Sequence, residues 1–444
     1  MRKSNLYACV ALALLSLFLV FASSAVAEEG IFTLDESVKQ ALANNWSLKA
    51  KTEKIAESEQ VKRQAKAEFF PKLSTSYGYS RLSETPTIDV MLPPPAPSGE
   101  FPVGTRNNYQ WKGTITQPLF TGFALISSYD LAKLGIDQAR LEVELEKLDL
   151  ALQVKEAYFG ILKADKAFEV AKKAVESLAS HVEVAQNFYD VGMIPINELL
   201  KAEVELSNAR HELMRARNSA RLARASFNTV LSRSIEAPVQ VKDILVYQEV
   251  GCDLQDYLPK ALKNRPEIKT IDLAIRQTDQ QIRLAKSKKY PEIAFTYDYI
   301  KEGDDMTVSG DEYHDASRWE ATVGLKWTFW EWGKTRSAVR EKESVKKRFL
   351  NQKKALEDSI LLDVKNALLD LELAREDIPT TKKAVEQAEE NLRVSEERFK
   401  VQATTTTEVL DAQTLLTRAR STYYDALYNQ NLAMAKLKRA IGEY

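Results

Sequence analysis

The sequence repeats one structural plan twice, and this duplication constrains the fold more than any other feature. Identities at an offset of 220 positions link the early parts of the two copies, and identities at an offset of 210 link the later parts. At the first offset, Ala41-Leu42, Asn44, Ala65-Lys66, Pro71, Tyr77 and Tyr79 match Ala261-Leu262, Asn264, Ala285-Lys286, Pro291, Tyr297 and Tyr299. At the second, Val154-Lys155, Val191, Glu198, Leu200 and Ala209-Arg210 match Val364-Lys365, Val401, Glu408, Leu410 and Ala419-Arg420. We therefore expect each copy to fold into the same series of elements.

Each copy is predicted to run helix, strand, loop, strand, very long helix, turn and helix. The first copy covers residues 28–232, with strands at about 72–82 and 107–118, a long helix at about 124–189 and a last helix at about 196–232. The second covers 254–444, with strands at about 291–301 and 318–329, a long helix at about 334–399 and a last helix at about 406–441. Residues 233–253 link the copies and are expected to add a short edge strand. At 1.5 Å per residue, each long helix is a rod of ~100 Å.

Local signals refine this plan. Thr33 and Glu36 form a capping box at the start of the first helix. Pro379 lies inside the second long helix and predicts a kink or a break there. The segments between the paired strands, TPTIDVMLPPPAPSGEFPVGT at 85–105 and EGDDMTVSGDEYHDAS at 302–317, are expected to be exposed loops.

The N-terminus predicts a secretory signal peptide over residues 1–27. Arg2 and Lys3 precede the apolar run ACVALALLSLFLVFA, and a small-residue A-x-A site follows at 25–27. A retained signal anchor is the alternative. No later segment has the ~20 consecutive apolar residues of a membrane-spanning helix. The only cysteine after this region is Cys252, which excludes an internal disulfide.

The last helix of each copy carries alanines at a strict period of seven. They are Ala202, Ala209, Ala216 and Ala223, followed by Val230, and Ala412, Ala419, Ala426, Ala433 and Ala440. In the first long helix an apolar seam steps by three and four along Leu141, Leu145, Leu148, Leu152, Phe159 and Leu162. A period of seven predicts left-handed supercoiling of closely packed helices. Whether the partner helix belongs to the same chain is left open by the pattern.

The strands alternate between apolar or aromatic residues and polar residues, which places the two sets on opposite faces of a sheet. Strands of about ten residues with this pattern suit a tilted transmembrane strand, whereas a half-buried soluble sheet is the alternative. The export signal and the lack of a spanning helix favour the membrane. The aromatic residues then predict an interfacial girdle, formed by Tyr77, Tyr79, Trp111, Tyr297, Tyr299, Trp319, Trp327 and Trp330.

One chain offers too few strands to close a wall in lipid. Transmembrane barrels start at about eight strands, and an unpaired strand edge cannot face lipid because its N–H and C=O groups would find no water. Strands of several copies must therefore combine, and the count alone permits two, three or four protomers.

At this point the chain resembles the TolC-like outer-membrane efflux proteins. The closest local similarity lies in FKVQATTTTEVLDAQTLLTRAR at 399–420 and in its counterpart FYDVGMIPINELLKAEVELSNAR at 188–210. The resemblance implies a mainly α fold with a small transmembrane β part: a homotrimer that shares a 12-stranded β-barrel in the outer membrane of a Gram-negative-type bacterium and continues as an α-helical barrel in the periplasm. It also implies a periplasmic adaptor and an inner-membrane pump as partners, and passive conduction of substrates without chemistry.

The same resemblance places the pore constriction at acidic residues early in the last helix. The matching residues are Glu408 and Asp411, and Glu198 and Lys201 are their counterparts in the first copy. Repeated by symmetry in a narrow aqueous pore, Glu408 and Asp411 are expected to form a cation-attracting ring. Because Lys201 replaces the aspartate in the first copy, the ring would be mixed, and Lys201 could pair with Asp411 across the helix interface. The alternative for Glu408 is a capping box with Thr405. The second copy has Val401-Gln402 where the first keeps Val191-Gly192, so the family's latch is expected to differ here.

The remaining motifs indicate no catalytic or cofactor site. His181 and His211 are predicted to lie on helix surfaces and His314 in a loop, without ligand spacing for a metal. Nucleotide-binding, zinc-protease and serine-hydrolase motifs are lacking. Lys and Arg total 62 against 63 Asp and Glu, so no basic field points to nucleic acid. The sequence predicts an outer-membrane exit duct, with a soluble periplasmic coiled-coil scaffold or adaptor as the alternative.

Overall fold

The computed structural model describes residues 31–91, 93, 95, 99–247 and 254–444. The predicted signal peptide, 1–27, lies outside these residues. The helices are α1 (Leu34–Asn44), α2 (Trp46–Ala67), α3 (Ala124–Asp190), α4 (Ile196–Val230), α5 (Leu254–Asn264), α6 (Pro266–Ser287), α7 (Lys334–Lys400) and α8 (Thr406–Ala440). The strands are β1 (Lys72–Arg81), β2 (Thr87–Val90), β3 (Gly99–Pro102), β4 (Asn107–Phe120), β5 (Glu292–Gly303) and β6 (Ser317–Lys326). The predicted fold class, mainly α with a small β part, is confirmed.

The two copies have helices of identical length. The long helices α3 and α7 each contain 67 residues, and the last helices α4 and α8 each contain 35. Helix boundaries before the strands differ by 220 positions, and those after the strands differ by 210. The same backbone plan is therefore built twice, and the ten-residue difference falls between the strands. Thr33 and Glu36 form the predicted capping box at the start of α1.

The core runs along the contacts between the rods. Helix α3 packs against α4, α7 packs against α8, and α8 also packs against α3. The phased alanines lie on this side: Ala202, Ala412, Ala426 and Ala433 are buried, and the other members of the pattern are buried or half-buried. The partner helices of the alanine seam thus lie in the same chain.

Pro379 does not break the second rod, so the predicted break is wrong, and the predicted kink stays a prediction. Helix α7 continues from Lys334 to Lys400 with Pro379 inside it. Ile378 and Ala374 beside the proline are buried, so tertiary packing holds the helix on both sides of it. The hydroxyls of Thr380 and Thr381 donate to the carbonyls of Glu376 and Asp377 at 3.2 and 2.8 Å. The free-energy cost of one missing backbone hydrogen bond is small compared with the stabilisation that tertiary packing gives so long a helix.

The strands end differently from the prediction at two places. Strand β6 stops at Lys326, so Trp327 and Phe329 lie in the segment that joins the sheet to α7 rather than in a strand of 318–329. The first inter-strand segment, expected to be a loop only, contains the two-stranded sheet β2–β3.

In its described residues, 233–247, the linker contributes one bridge rather than the expected edge strand. Val241 pairs with Phe32 in a single parallel bridge. The hydroxyl of Tyr158, a buried residue of α3, lies 3.0 Å from the Phe32 carbonyl and 2.7 Å from the Lys242 carbonyl. Burial raises the pKa of Tyr158 to about 12. The linker and the N-terminal segment are therefore fastened together on the middle of the rod; the predicted linker residues 248–253 lie outside the described residues.

Among the described residues, no helix combines the length and the apolar character needed to cross a membrane.

Candidate functional site

The large sheet has two chemically different faces. Its strand order is β1-β4-β5-β6, and all three pairings are antiparallel. Up to a register shift after Pro118, odd-numbered residues oppose odd-numbered residues across all four strands. Tyr77 faces Trp111, Ile115 faces Tyr297, and Tyr299 faces Trp319. Directly opposed residues point to the same face of a sheet. The alternation seen in each strand therefore adds up to one apolar and one polar face.

The apolar face carries six of the eight residues predicted as an aromatic girdle. These are Tyr77, Tyr79, Trp111, Tyr297, Tyr299 and Trp319. The rings contact each other across strands, with Trp111 and Tyr299 at 6.2 Å between centroids and Tyr297 and Trp319 also at 6.2 Å.

The other two girdle residues follow the end of β6. Trp327 donates from its indole nitrogen to the Lys289 carbonyl at 3.2 Å. Trp330 packs edge-on against Trp332 at 5.6 Å, and both rings are largely exposed. Together with the apolar face, these residues form an aromatic surface that has no covering element in the described part of the chain.

The polar face is joined by side-chain contacts between β4, β5 and β6. Asp298 accepts from Lys112 at 2.8 Å and from Thr114 at 2.6 Å. Glu302 accepts from Gln110 at 2.7 Å and also pairs with Arg318. A water-filled interior would suit this face, because it carries ion pairs such as Lys112 with Asp298 and its hydroxyls and amides are exposed or half-exposed.

The opposite end of the molecule is formed by two turns of the same shape, α3–α4 and α7–α8. Gly192 in the first turn has φ +75° and Gln402 in the second has φ +59°. The following residues close both turns identically: Met193 N donates to the Phe188 carbonyl at 2.8 Å, and Ala403 N donates to the Arg398 carbonyl at 2.8 Å. This is a helix C-terminus with one left-handed residue, a position at which glycine is favoured. Gln402 therefore adopts a conformation that costs an L-residue free energy.

Glu408 is not a capping residue, contrary to the alternative drawn from its sequence. Thr405 precedes α8 without a side-chain cap hydrogen bond. The Glu408 carboxylate instead accepts from Arg398 at 3.1 Å and from the Thr404 hydroxyl. Arg398 also donates to the Ala403 carbonyl at 3.2 Å. The end of α7, the turn and the start of α8 are thus tied together by one guanidinium.

Lys201 does not pair with Asp411. Its ammonium lies 2.8 Å from the Glu198 carboxylate and 3.5 Å from the Thr407 hydroxyl, so it bridges the starts of α4 and α8. Within the described part of the chain, Asp411 is exposed and makes no ion pair. The four predicted constriction residues therefore do lie at one end of the molecule, but only Asp411 has an uncompensated charge.

His181 is buried, although its helix position predicted a surface residue. It is 7% exposed, its ring lies 4.7 Å from the Phe399 ring, and its Nε2 has no hydrogen-bond partner among the described residues. Burial lowers the pKa of His181. His211 is exposed, and His314 lies in a loop beside Asp311. In the described ranges no group of three or more His, Cys, Asp or Glu residues could hold a metal ion.

Sequence reasoning missed Arg398 and the conformation of Gln402. The left-handed conformation of Gln402 could have been predicted from the repeat, because its counterpart is Gly192 and the two copies share one backbone plan. Arg398 could not be found in this way, since its counterpart in the first copy is Phe188.

Comparison with known proteins agrees with this architecture. A profile of the family described as outer membrane efflux protein matches residues 37–232 and 257–443. The chain belongs to this family. Outer membrane efflux protein BepC from Brucella suis biovar 1 is 21% identical over 414 residues, covering 92% of this chain and 85% of its own. Outer membrane protein TolC from Vibrio cholerae is 22% identical over 324 residues, covering 71% and 72%.

Solved structures share the fold. The crystal structure of the Campylobacter jejuni CmeC outer membrane channel superimposes with a TM-score of 0.77 at 16% identity, covering 92% of this chain and 85% of that one. As a member of the outer membrane efflux family, the protein is an outer membrane channel that conducts substrates as part of an efflux system. Channels of this family are trimeric and work with efflux pumps. The family is one of channels rather than enzymes, and membership disfavours the alternative of a soluble scaffold.

Proposed function

We propose that three copies of this chain pool their sheets into one twelve-stranded wall through the outer membrane of a Gram-negative-type bacterium. One observation carries the proposal: the four-stranded sheet has an apolar and a polar face and two unpaired edges, β1 and β6. The backbone groups of those edges need partners in lipid. Strands of identical copies supply them, and the apolar face then meets lipid while the polar face lines the pore.

The polar face sets the character of the proposed pore. Paired groups such as Lys112 with Asp298 and Arg318 with Glu302 leave the lining hydrophilic with little net charge. Such a lining favours hydrated solutes of either sign and holds none of them tightly. The transport step is passive conduction, and the partner that delivers substrate to the inner end drives it.

The inner end is the proposed constriction. The two turns bring Glu198, Lys201, Glu408 and Asp411 together, and threefold repetition would place three exposed Asp411 carboxylates around one axis. A ring of like charges in a narrow aqueous pore attracts cations. Opening would splay the ends of α7 and α8, and the contacts of Arg398 oppose that movement.

A periplasmic adaptor and an inner-membrane pump complete the proposed system. A groove of about 500 Å³ runs between α3, α4 and α8 and is lined by small residues, among them Ala171, Ala174, Ala209 and Ala216. Small side chains allow a helix to approach closely, so this groove is the surface we assign to the adaptor.

The experiment is extraction followed by mass measurement and conductance. The processed protein should leave membranes only with detergent, have the mass of three copies and form ion-conducting channels in planar bilayers. A stable, water-soluble monomer without channel activity would refute the proposal and restore the scaffold alternative.

A further inference from the structure

The second copy carries a group of basic side chains where its strands join its helices, and we call this group the basic junction. Its members are Lys286, Lys288 and Lys289 at the end of α6, Lys326 at the end of β6, and Lys334 and Arg336 in the first turn of α7. All of them are exposed and, in the described part of the chain, make no ion pair. The basic junction therefore presents charge that the fold itself does not neutralise.

Two carboxylates close to the basic junction in sequence leave its charge positive. Glu292 lies opposite Lys326 in the last pair of the β5–β6 register. Glu331 accepts a hydrogen bond from the Thr335 hydroxyl at 2.9 Å. Six basic groups thus stand against two acidic ones, and an anion from outside the chain would meet a net positive surface.

Exposed aromatic rings lie beside these charges. Trp327 and Phe329 continue the odd-numbered series of the apolar face beyond the end of β6, and their ring centroids are 6.1 Å apart. Trp327 is 53% exposed and Phe329 is 79% exposed. The Trp327 indole also donates to the Lys289 carbonyl at 3.2 Å, which holds the aromatic segment against the basic end of α6.

The electrostatics of the α6 C-terminus do not require its lysines. Cations are favoured near the C-terminus of a helix, which would suit Lys288 and Lys289. The first copy builds the same helix end with Glu68 and Phe69 at the corresponding positions, 220 residues earlier. The shared backbone therefore forms without basic residues there, and the lysines need another explanation.

The start of α7 gives independent support. Cations are unfavourable in the first turn of a helix because the macrodipole is positive there. Helix α7 nevertheless begins with Lys334 and has Arg336 two residues later, with no acidic residue in this turn. The corresponding residues of α3 are Ala124 and Ile126. An anion bound from outside would offset the cost of placing two cations at this helix end.

We propose that the basic junction binds the phosphate groups of anionic phospholipids in the periplasmic leaflet of the membrane. The inference rests on the proposed function, because the sheet must lie in the membrane for its end to meet headgroups. The apolar face ends beside the basic junction, at the level where acyl chains give way to phosphates. Tryptophan is favoured at that level, and lysine and arginine are attracted there by anionic lipid.

The chemistry of the junction favours phosphatidylglycerol over phosphatidylethanolamine. Each lysine ammonium offers three donors to phosphate oxygens. Phosphatidylethanolamine brings an ammonium of its own, which competes with the lysines for its phosphate, whereas phosphatidylglycerol brings none. Since the first copy lacks most of these basic residues, each chain has one such surface.

Tryptophan quenching by brominated lipids tests the proposal. The protein is reconstituted into mixed bilayers in which either phosphatidylglycerol or phosphatidylethanolamine carries bromine on its acyl chains. Trp111→Phe and Trp319→Phe form the background, so that the quenched rings are those near the basic junction. Brominated phosphatidylglycerol should quench more strongly. Each basic residue beside an anionic lipid surface raises affinity about fivefold, so the triple variant Lys286→Gln, Lys288→Gln and Lys289→Gln should lower the preference by about fivefold or more.

The matched control removes three lysines from the same chain at a distance from the sheet. Lys354→Gln, Lys365→Gln and Lys382→Gln change exposed residues of α7 that lie ~30 Å or more along the helix from Lys334. This control should keep the wild-type preference. Both triple variants should retain trimer mass and channel conductance, since all the lysines are exposed. Salt at about 1 M should lower the preference in wild type, because the Debye length is then about 3 Å.

The remaining outcomes separate this inference from the proposed function. Equal quenching by the two lipids, or an equal loss in the control, overturns lipid binding at the basic junction and leaves a trimeric, conducting channel standing. Loss of the preference on adding inorganic phosphate, but not chloride of the same ionic strength, shows a site for the free anion and also overturns it. No quenching by either lipid places these rings outside the membrane and overturns both proposals.

Discussion

Arg398 holds the inner ends of α7 and α8 together, and its removal gives a quantitative test of the proposed constriction. The guanidinium is 3.1 Å from the Glu408 carboxylate and 3.2 Å from the Ala403 carbonyl. Both charged side chains are about half exposed, so the ion pair contributes only about 0.5 kcal/mol. The hydrogen bond to the carbonyl adds about 0.5–1 kcal/mol.

Arg398→Gln should therefore remove about 1 kcal/mol per copy from any state in which these contacts are intact. If opening breaks them in all copies of the trimer at once, the closed state loses about 3 kcal/mol, and the open-to-closed ratio rises on the order of 10²-fold. Arg398→Lys keeps the positive charge but loses the forked geometry of the guanidinium. Its open-to-closed ratio should therefore lie between those of the wild type and Arg398→Gln.

The assay is single-channel recording of the purified protein in planar lipid bilayers at neutral pH, with open probability as the readout. Arg393→Gln is the matched control, because Arg393 pairs with Glu390 at 2.7 Å within α7 and does not reach α8. An unchanged open probability in Arg398→Gln, or an equal rise in Arg393→Gln, would refute the role assigned to Arg398.

Three further predictions concern other positions. Burial lowers the pKa of His181 below 6.5, so the unfolded chain binds a proton more readily than the folded chain. The free energy of unfolding should therefore fall as the pH drops from 6.5 through the folded-state pKa. The thermal unfolding temperature of His181→Phe should lack this pH dependence. Gly122→Ala should destabilise the protein more than Gly192→Ala by at least ~1 kcal/mol in chemical denaturation, since both have positive φ but only Gly122 meets a carbonyl at 2.4 Å; equal losses would contradict the contact. Asp411→Asn should weaken block of the channel by multivalent cations more than Glu408→Gln, because Glu408 is already neutralised by its arginine; the reverse order in bilayer recordings would remove Asp411 from the pore.

The fold was readable from the sequence where a short-range rule repeats. Alternation with period two identified the faces of each strand. The register found in the structure, with Tyr77 opposite Trp111 and Tyr299 opposite Trp319, makes those faces continuous across the sheet. The period of seven identified the packed side of α4 and α8. Such patterns can be read from the sequence because every position in them obeys the same local geometry.

Single residues were predicted less well because their outcome depends on tertiary partners. Pro379 is a strong helix breaker by local rules, yet buried neighbours keep α7 continuous. His181 has a polar ring that local rules place at the surface, but in the folded chain this ring is buried and lies 4.7 Å from the Phe399 ring at the end of α7. Lys201 contacts Glu198 and Thr407 rather than Asp411, because its long flexible side chain binds the acceptors that the turn places nearest to it.

The divergence of the duplicated turns also sets the charge that the proposed constriction would carry. The two turns share one backbone, but their side chains have diverged. In the first copy Glu198 is neutralised by Lys201, which occupies the position of Asp411. In the second copy Glu408 is neutralised by Arg398, which the first copy lacks, and Asp411 remains. Among the four predicted constriction residues, Asp411 is therefore the unpaired carboxylate that each chain contributes. A cation passing the proposed constriction would meet one Asp411 carboxylate per copy.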